Sequence, residues 1–159
     1  MNTLYLVQHA NALSKEESPQ RPLSPPGEKD IWQVAEKLYQ SEQVEIAQIW
    51  HSTKLRTKQT AQIIKETLEL DVPLIEKDCL SPKDEVEPIL KEIKGMQQSV
   101  MIVGHLPYLK YLASTLINGN LTSEPVSFQQ GGIVCLEQLE SNSKESSLKW
   151  KMRWIQNPT

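Results

Sequence analysis

Short apolar runs alternate with amphipathic stretches along most of this chain. Residues 4–7 and 100–103 are continuous apolar runs, a pattern typical of strands that are covered on both faces of a sheet. Residues 47–52 and 72–75 predict two further strands, and Pro73 weakens the second of them. We therefore expect a sheet whose central strands are fully buried.

The segments between these strands have the period of amphipathic helices. The first helix is predicted from the capping serine and early proline of Ser24-Pro25. Its predicted buried stripe consists of Ile31, Val34, Ala35, Leu38 and Tyr39. Three more helices are predicted to start near Leu55, Val86 and Pro107, and Gly119 is the expected end of the last.

The alternation of strands and helices predicts an α/β fold, a three-layer α/β/α sandwich on a mostly parallel sheet. At the C-terminal end, the runs 132–136 and 148–152 flank a polar Ser/Asn/Lys loop. They predict an antiparallel hairpin whose second strand alternates apolar and basic residues, so that one of its faces is exposed. No repeat or linker interrupts the pattern, and we expect residues 1–159 to form a single domain.

Chemically active side chains follow three of the predicted strands. His9 and His105 come just after the strand ends, and Arg56 lies four residues past a third, at a helix start. Ligands of open parallel sheets bind at the carboxyl ends of the strands, and helix N-termini near Arg56 and Leu106 favour anions. One such histidine alone is more often structural, as we expect for His51 inside its strand. The joint placement predicts a phosphate site.

Composition narrows the function classes further. The net charge of -3 argues against nucleic acid or an anionic membrane as the main partner. The apolar start is too short for a signal peptide, and no run approaches the ~20 residues that span a bilayer. Cys79 and Cys135 lack metal-ligand spacing, and we expect buried or half-buried thiols. Nucleotide-loop, serine-hydrolase and zinc-protease motifs are absent from the sequence. A cytoplasmic protein is the expectation.

Three motifs carry a likeness to a known family. Leu-Val-Gln-His-Ala ends at Ala10, His-Ser-Thr-Lys-Leu-Arg-Thr-Lys-Gln-Thr-Ala spans residues 51–61, and Val-Gly-His-Leu-Pro ends at Pro107. In order and spacing they resemble the histidine phosphatase superfamily, which has a phosphoglycerate mutase-like fold and an Arg-His-Gly motif. The segments 21–24 and 80–82 are similar to its short branch, the phosphohistidine phosphatases of the SixA type.

The resemblance implies a two-step phosphoryl transfer without a metal or other cofactor. His9 would be the nucleophile and would carry the phosphate transiently. Arg56 and His105 would bind phosphate oxygens, with the N–H groups near Leu106 helping. Arg21, in the loop expected to cover the pocket, is a candidate fourth cation or simply a surface arginine.

The chain departs from the family pattern at two positions of its first motif. Gln8 stands where the family has arginine, and Ala10 stands where it has glycine. Loss of one ionic hydrogen bond, worth about 1.5–3 kcal/mol, lowers a rate on the order of 10- to 150-fold. Gln8 could still donate one bond, or Arg21, Lys54 or Lys58 could replace the missing charge. We expect weakened activity.

A proton donor is harder to assign. Larger members carry it on a helical insertion, for which residues 70–100 leave no room. Asp84 and Glu85 are the nearby acids, although both could equally be first-turn residues of the third helix. A phosphohistidine substrate relaxes this requirement, because its protonated imidazole leaves more readily than an alkoxide.

Three functions stay open at this point. The first is a phosphohistidine phosphatase of lowered turnover, whose partner is a phosphohistidine-bearing protein and whose pocket admits inorganic phosphate or sulfate. The second is a catalytically silent relative that binds phosphoprotein or an anion, which Gln8 favours. The third, a small-molecule phosphomonoesterase, requires Asp84 or Glu85 to face His9.

Overall fold

The apolar runs form a six-stranded sheet in a computed structural model that describes residues 3–41, 44–139 and 149–159. Its strands are β1 (Thr3–Gln8), β2 (Gln48–His51), β3 (Leu74–Glu76), β4 (Val100–Gly104), β5 (Ile133–Gln138) and β6 (Trp150–Gln156). The strand order is β3-β2-β4-β1-β5-β6. Strands β3, β2, β4 and β1 run parallel, whereas β5 is antiparallel to both β1 and β6. The predicted mostly parallel sheet with an antiparallel C-terminal hairpin is confirmed.

Helices follow the parallel strands and cover both faces of the sheet. They are α1 (Pro25–Ser41), α2 (Leu55–Thr67), α3 (Glu87–Gly95) and α4 (Tyr108–Asn118). One apolar core lies between the sheet and α1 and α2, and it includes Ile31 and Ile64. The other lies between the sheet and α3 and α4, and it includes Ile89 and Leu112. Since β1 and β4 contribute to both cores, their continuous apolar sequence is explained.

The ends of α1 and α4 follow their sequence signals. The Ser24 hydroxyl accepts a hydrogen bond from the Gly27 N–H at 3.1 Å, which caps α1. Gly119 is the C-cap of α4 and has a φ of 75°, a conformation that suits glycine. Both predicted helix boundaries are confirmed.

One residue of the predicted α1 stripe is not buried. Ile31, Val34, Ala35 and Leu38 are buried, but Tyr39 is 51% exposed. Tyr39 lies about 80° around the helix from Ile31, at the edge of the stripe. Its hydroxyl donates a hydrogen bond to a carboxylate oxygen of Glu69 at 3.1 Å, so its polar end has a partner at the surface.

The last strand departs from simple alternation. A bulge in the β5–β6 ladder pairs Cys135 with Trp154 and Leu136 with Met152, leaving Arg153 as the extra residue. As a result Trp150 joins the α3–α4 core and Trp154 packs against the α1–α2 core. Met152 is 44% exposed instead of buried. The predicted polar loop and its neighbour Leu148 lie outside the described residues.

Other composition-based expectations concern cysteines and membrane segments. Cys79 is a half-buried free thiol, and the side chain of Cys135 is buried. Burial raises the pKa of Cys79 above its ordinary value. Within the described ranges, no helix is both long and apolar enough to cross a bilayer.

Candidate active site

Three parallel strands end at the same edge of the sheet. His9 follows β1, Ser52 follows β2 and His105 follows β4. The His9 N–H donates to the Gly104 carbonyl at 3.0 Å, which extends the β1–β4 pairing past the strand end. The two imidazole rings lie edge to face with centroids 5.1 Å apart and planes at 61°. Two of the three predicted residues therefore meet directly, at the strand exits where the sequence predicted them.

The His9 ring is held as a neutral imidazole with one free nitrogen. Its Nδ1 lies 2.7 Å from the Ala10 carbonyl oxygen, and since a carbonyl only accepts, Nδ1 carries the proton. The ring is 7% exposed, and burial, with the charges of Arg56 and Arg21, lowers the His9 pKa to about 4. At neutral pH the Nε2 lone pair is available as a nucleophile.

A chain of hydroxyl groups orients His105. Its Nε2 lies 2.7 Å from the Ser52 hydroxyl, which lies 2.8 Å from the Thr57 hydroxyl. Thr57 donates to the Lys54 carbonyl at 2.8 Å, so its own oxygen accepts from Ser52. Ser52 in turn accepts from His105 Nε2–H, and the relay places the His105 proton on Nε2. Nδ1 is then the nitrogen that can gain a second proton.

Cations surround both histidines. The His105 pKa falls to about 3, first because of burial and then because of His9, Arg56, Lys54 and Arg21. Burial and the charge of Arg21 also lower the pKa of the Arg56 guanidinium. Arg56 Nε is buried and finds no hydrogen-bond acceptor among the described residues. A site of this charge is suited to a multivalent anion that accepts several hydrogen bonds.

The loop after β1, residues 11–23 and called the cover loop below, holds Arg21 near this site. Ala12 and Leu23 form an isolated antiparallel bridge, and the Leu13 N–H donates to the Pro22 carbonyl at 2.8 Å. Arg21 Nε donates to the Leu13 carbonyl at 3.0 Å. Arg21 itself has a φ of 51°, a left-handed conformation that is uncommon outside glycine. The charge of Arg21 helps to lower the pKa of both His9 and Arg56, so the cover loop supplies one cation to the site.

Gln8 and Ala10 flank His9 in different surroundings. Gln8 is half-buried, and its Oε1 is a buried atom without a hydrogen-bond partner in the described ranges. Ala10 is fully buried in the α1–α2 core, and its N–H donates to the Thr60 hydroxyl at 3.1 Å. The methyl group of Ala10 therefore has a packing role in that core.

Asp84 and Glu85 lie in a different environment. Helix α3 begins at Glu87 after an N-cap at Val86, so neither acid is a first-turn residue as one alternative expected. The Asp84 carboxylate accepts from the Ser81 N–H at 2.8 Å. Both acids line a cleft with Tyr111 of α4, and the charges that shift the His9 pKa are the two arginines. A proton-donor role for either acid stays a prediction.

The remaining sequence candidates are distributed as follows. Leu106 is 39% exposed and precedes the N-cap of α4 at Pro107, so a phosphate contact from its backbone stays a prediction. His51 is buried, with Nδ1 2.8 Å from the Ser52 carbonyl, as fits a structural role. The charge of Lys54 helps to lower the pKa of His105, whereas the charge of Lys58 is not among the causes of that shift. Where side chains are described, no three of His, Cys, Asp or Glu cluster as metal ligands.

Ser52, Thr57 and Thr60 are site residues that the sequence analysis did not single out. Thr60 accepts from the Ala10 N–H and donates to the Arg56 carbonyl at 2.8 Å, which ties α2 to the β1 exit. Their position in the sequence could have pointed to them, because all three lie in the segment 51–61 that carries Arg56.

Residues 4–81 match the family model of the histidine phosphatase superfamily, branch 1. This segment belongs to the histidine phosphatase superfamily. It contains β1, the cover loop, α1, β2, α2 and β3, and so includes His9, Arg21 and Arg56. The resemblance predicted from the sequence is confirmed. No sequence among curated proteins matches the chain significantly.

Solved structures extend the similarity over the whole fold. The protein histidine phosphatase SixA, complexed with tungstate, has a TM-score of 0.83 and 24% identity, covering 98% of this chain and 97% of its own. The alpha-ribazole phosphatase from Shigella flexneri has a TM-score of 0.74 and 14% identity, covering 98% and 96%. A mycobacterial glucosyl-3-phosphoglycerate phosphatase has a TM-score of 0.72 and 13% identity, covering all of both chains. At these identities the likeness shows the shared phosphoglycerate mutase-like fold.

Proposed function

We propose that this protein is a phosphohistidine phosphatase that removes phosphate from a phosphohistidine-bearing protein through a covalent phospho-His9 intermediate. The observation that carries the proposal is the state of His9. Its Nδ1 proton is donated to the Ala10 carbonyl, its pKa is about 4, and its ring stands 5.1 Å from that of His105. A neutral imidazole with a free Nε2 among cations is suited to attack an anionic phosphoryl group.

The reaction has two displacement steps. In the first, the Nε2 lone pair of His9 forms a bond to phosphorus while the bond from phosphorus to the substrate imidazole breaks. The electron pair of that bond returns to the substrate nitrogen that held the phosphorus. The ring leaves as a neutral imidazole when its other nitrogen already carries a proton, and otherwise it takes a proton from solvent. In the second step, a water oxygen bonds to phosphorus, the bond to His9 breaks, and the water proton leaves to solvent. Inorganic phosphate is released and His9 is restored.

Arg56 and His105 would stabilise the charge of the transferring group. The Arg56 Nε–H is a buried donor without an acceptor in the described ranges, and an oxyanion could fill that role. His105 would donate through Nδ1 once the bound anion has raised its pKa. No step is assigned to a metal ion, because phosphoryl transfer here needs only the nucleophile and the cations.

Phosphohistidine is the substrate class that best suits this site. The acids Asp84 and Glu85 line a cleft with Tyr111, and a phosphohistidine leaving group does not depend on them. A sugar phosphate would need an acid to protonate its alkoxide. The composition continues to predict a cytoplasmic location for the protein.

Gln8 supports a second candidate, a silent relative that binds phosphoprotein or a free anion. Its buried Oε1 has no partner in the described part of the chain, and an amide offers less positive charge to a phosphate than the guanidinium of the family motif. The two candidates differ only in whether phosphorus is transferred to His9.

The deciding experiment measures phosphate release from a histidine-phosphorylated protein and from an aryl phosphate. The native chain is compared with His9→Ala and Gln8→Arg, and the native protein is quenched during turnover to trap acid-labile phosphate on His9. Release that is lost in His9→Ala and increased in Gln8→Arg supports the phosphatase. Activity that appears only in Gln8→Arg supports the silent relative. Inactivity of all three proteins rules out the proposed function.

A further inference from the structure

A basic cleft lies beside the candidate active site, between the cover loop and the start of α2. It has a volume of about 530 Å³. Its polar lining consists of Lys15, Gln20, Arg21, Thr53, Lys54 and Arg56. The cleft therefore combines four cationic side chains with two neutral hydrogen-bonding ones.

These four cations have no carboxylate partners within the described residues. The ion pairs found there involve other basic residues, namely Lys77, Lys110, Lys151 and Arg153. Lys15 and Lys54 are exposed, whereas Arg21 and Arg56 are half-buried. A cluster of unpaired positive charge on a protein whose net charge is -3 creates a local positive field that attracts anionic groups.

The basic cleft shares its two arginines with the candidate active site. Arg21 and Arg56 line the cleft, and the same two charges act on His9. Lys15 lies on the cover loop and Lys54 at the start of α2, on the solvent side of the arginines. A ligand that places a phosphoryl group at His9 would therefore extend over Lys15 and Lys54.

We propose that the basic cleft binds carboxylate side chains that flank the phosphohistidine of a protein substrate. This inference rests on the proposed function, because it assigns the neighbours of the phosphorylated residue. Lysine is a compact point charge on a flexible stem, so Lys15 and Lys54 can follow carboxylates at different positions. The side chains of Thr53 and Gln20 add hydrogen-bond donors to the lining of the cleft.

Binding to peptides tests the cleft independently of catalysis. The probes are three peptides that carry a non-hydrolysable triazole analogue of phosphohistidine, flanked by aspartate, by alanine or by lysine. Two exposed ion pairs predict that the native protein binds the aspartate peptide ~3- to 30-fold more tightly than the alanine peptide. The lysine peptide should bind more weakly still, and added salt should reduce these differences.

Charge reversal then locates the preference. The double variant Lys15→Glu, Lys54→Glu should lose the preference for the aspartate peptide. The single variant Lys15→Glu, at a position whose charge is not among the causes of either histidine pKa shift, should weaken the preference while keeping its affinity for the alanine peptide within a few-fold. Lys29 and Lys37 are exposed on α1 and do not line the cleft. The matched double variant Lys29→Glu, Lys37→Glu carries the same change in net charge and should retain the preference.

Three results with the peptides would overturn the inference. They are equal binding of the three peptides, a preference that survives Lys15→Glu, Lys54→Glu, and a preference that the α1 double variant also loses. Inorganic tripolyphosphate is the fourth probe. If it binds the native protein more tightly than the aspartate peptide does and loses affinity on charge reversal, the cleft holds a second phosphate instead of carboxylates. If the native protein releases no phosphate from phosphohistidine but still prefers the aspartate peptide, the proposed phosphatase is refuted and the cleft assignment stands.

Discussion

The Nε2 of His105 lies 2.7 Å from the Ser52 hydroxyl, and both residues are buried at strand exits. This contact joins β4 to β2 across the edge of the sheet where His9 lies. Because Ser52 donates onward to Thr57, it accepts from His105 and fixes the tautomer of the ring. The orientation of one imidazole therefore depends on a serine from a different strand.

Replacing Ser52 by alanine should lower phosphatase activity without unfolding the protein. Loss of a hydrogen bond to a group that becomes charged predicts a fall in kcat/KM of roughly 10- to 150-fold. Aryl phosphate hydrolysis measures the fall, and nitrogen NMR of the His105 ring should show a mixture of tautomers. Ser114, equally buried in α4, provides the control, since Ser114→Ala should change stability and leave kcat/KM unaltered. Unchanged ring tautomers in Ser52→Ala would refute the relay.

Protein stability should fall in mild acid. The pKa values of His9 and His105 are about 4 and about 3, below the ordinary value of 6.5. Between pH 6.5 and these lower values, the unfolded chain binds more protons than the folded one. The contribution of the two neutral rings to the free energy of unfolding is therefore complete above pH 6.5 and is lost as the pH falls. Linkage predicts a decrease in the free energy of unfolding of about 2–4 kcal/mol between pH 7.5 and pH 5.

Denaturant unfolding at several pH values measures this loss. The variant His105→Asn removes one of the two titrating groups and should show a clearly smaller decrease over the same range. A free energy of unfolding that is flat between pH 7.5 and pH 5 would contradict the assignment of both rings as neutral.

Anion binding should be coupled to proton uptake. A dianion beside His105 raises the pKa of that ring from its low value in the free protein. Tungstate, the ligand in the SixA complex, is therefore expected to bind this protein with an uptake of up to one proton near pH 6. Calorimetric titrations in buffers of different ionisation enthalpy measure the uptake. His105→Asn should abolish it, and an apparent enthalpy that is the same in every buffer would disprove the coupling.

Gly27 should not tolerate a side chain. A Cβ at this position would stand 2.1 Å from the Asn11 carbonyl oxygen, which accepts the hydrogen bond from the Ser24 N–H at 3.0 Å. The clash would push α1 away from the cover loop, and Gly27→Ala should lower the free energy of unfolding by about 1–3 kcal/mol. Gly95, at the end of α3, meets no atom within 4 Å. Gly95→Ala should be neutral or slightly stabilising, and thermal unfolding of both variants compares them.

The sequence by itself determined most of the fold and the strand exits at which the candidate site residues lie. Continuous apolar runs predicted β1 and β4, because a strand covered on both faces excludes polar residues. The parallel arrangement then placed His9 and His105 at one edge, since parallel strands end on the same side. Periodicity was less reliable where a helix or strand is half-exposed, and Tyr39 and Met152 are both more exposed than predicted.

Only the tertiary structure decided which distant groups touch. Packing between separate segments produces three features of the site. These are the Ser52 relay, the lowered pKa values of the two histidines and the placement of Lys15 and Lys54 in one basic cleft. The bulge at Arg153 likewise sends Trp150 and Trp154 to opposite faces of the sheet. Hydrophobic periodicity reports the burial of each residue along one element. Contacts, tautomers and desolvation arise between elements, and their energies exist only after those elements have packed together.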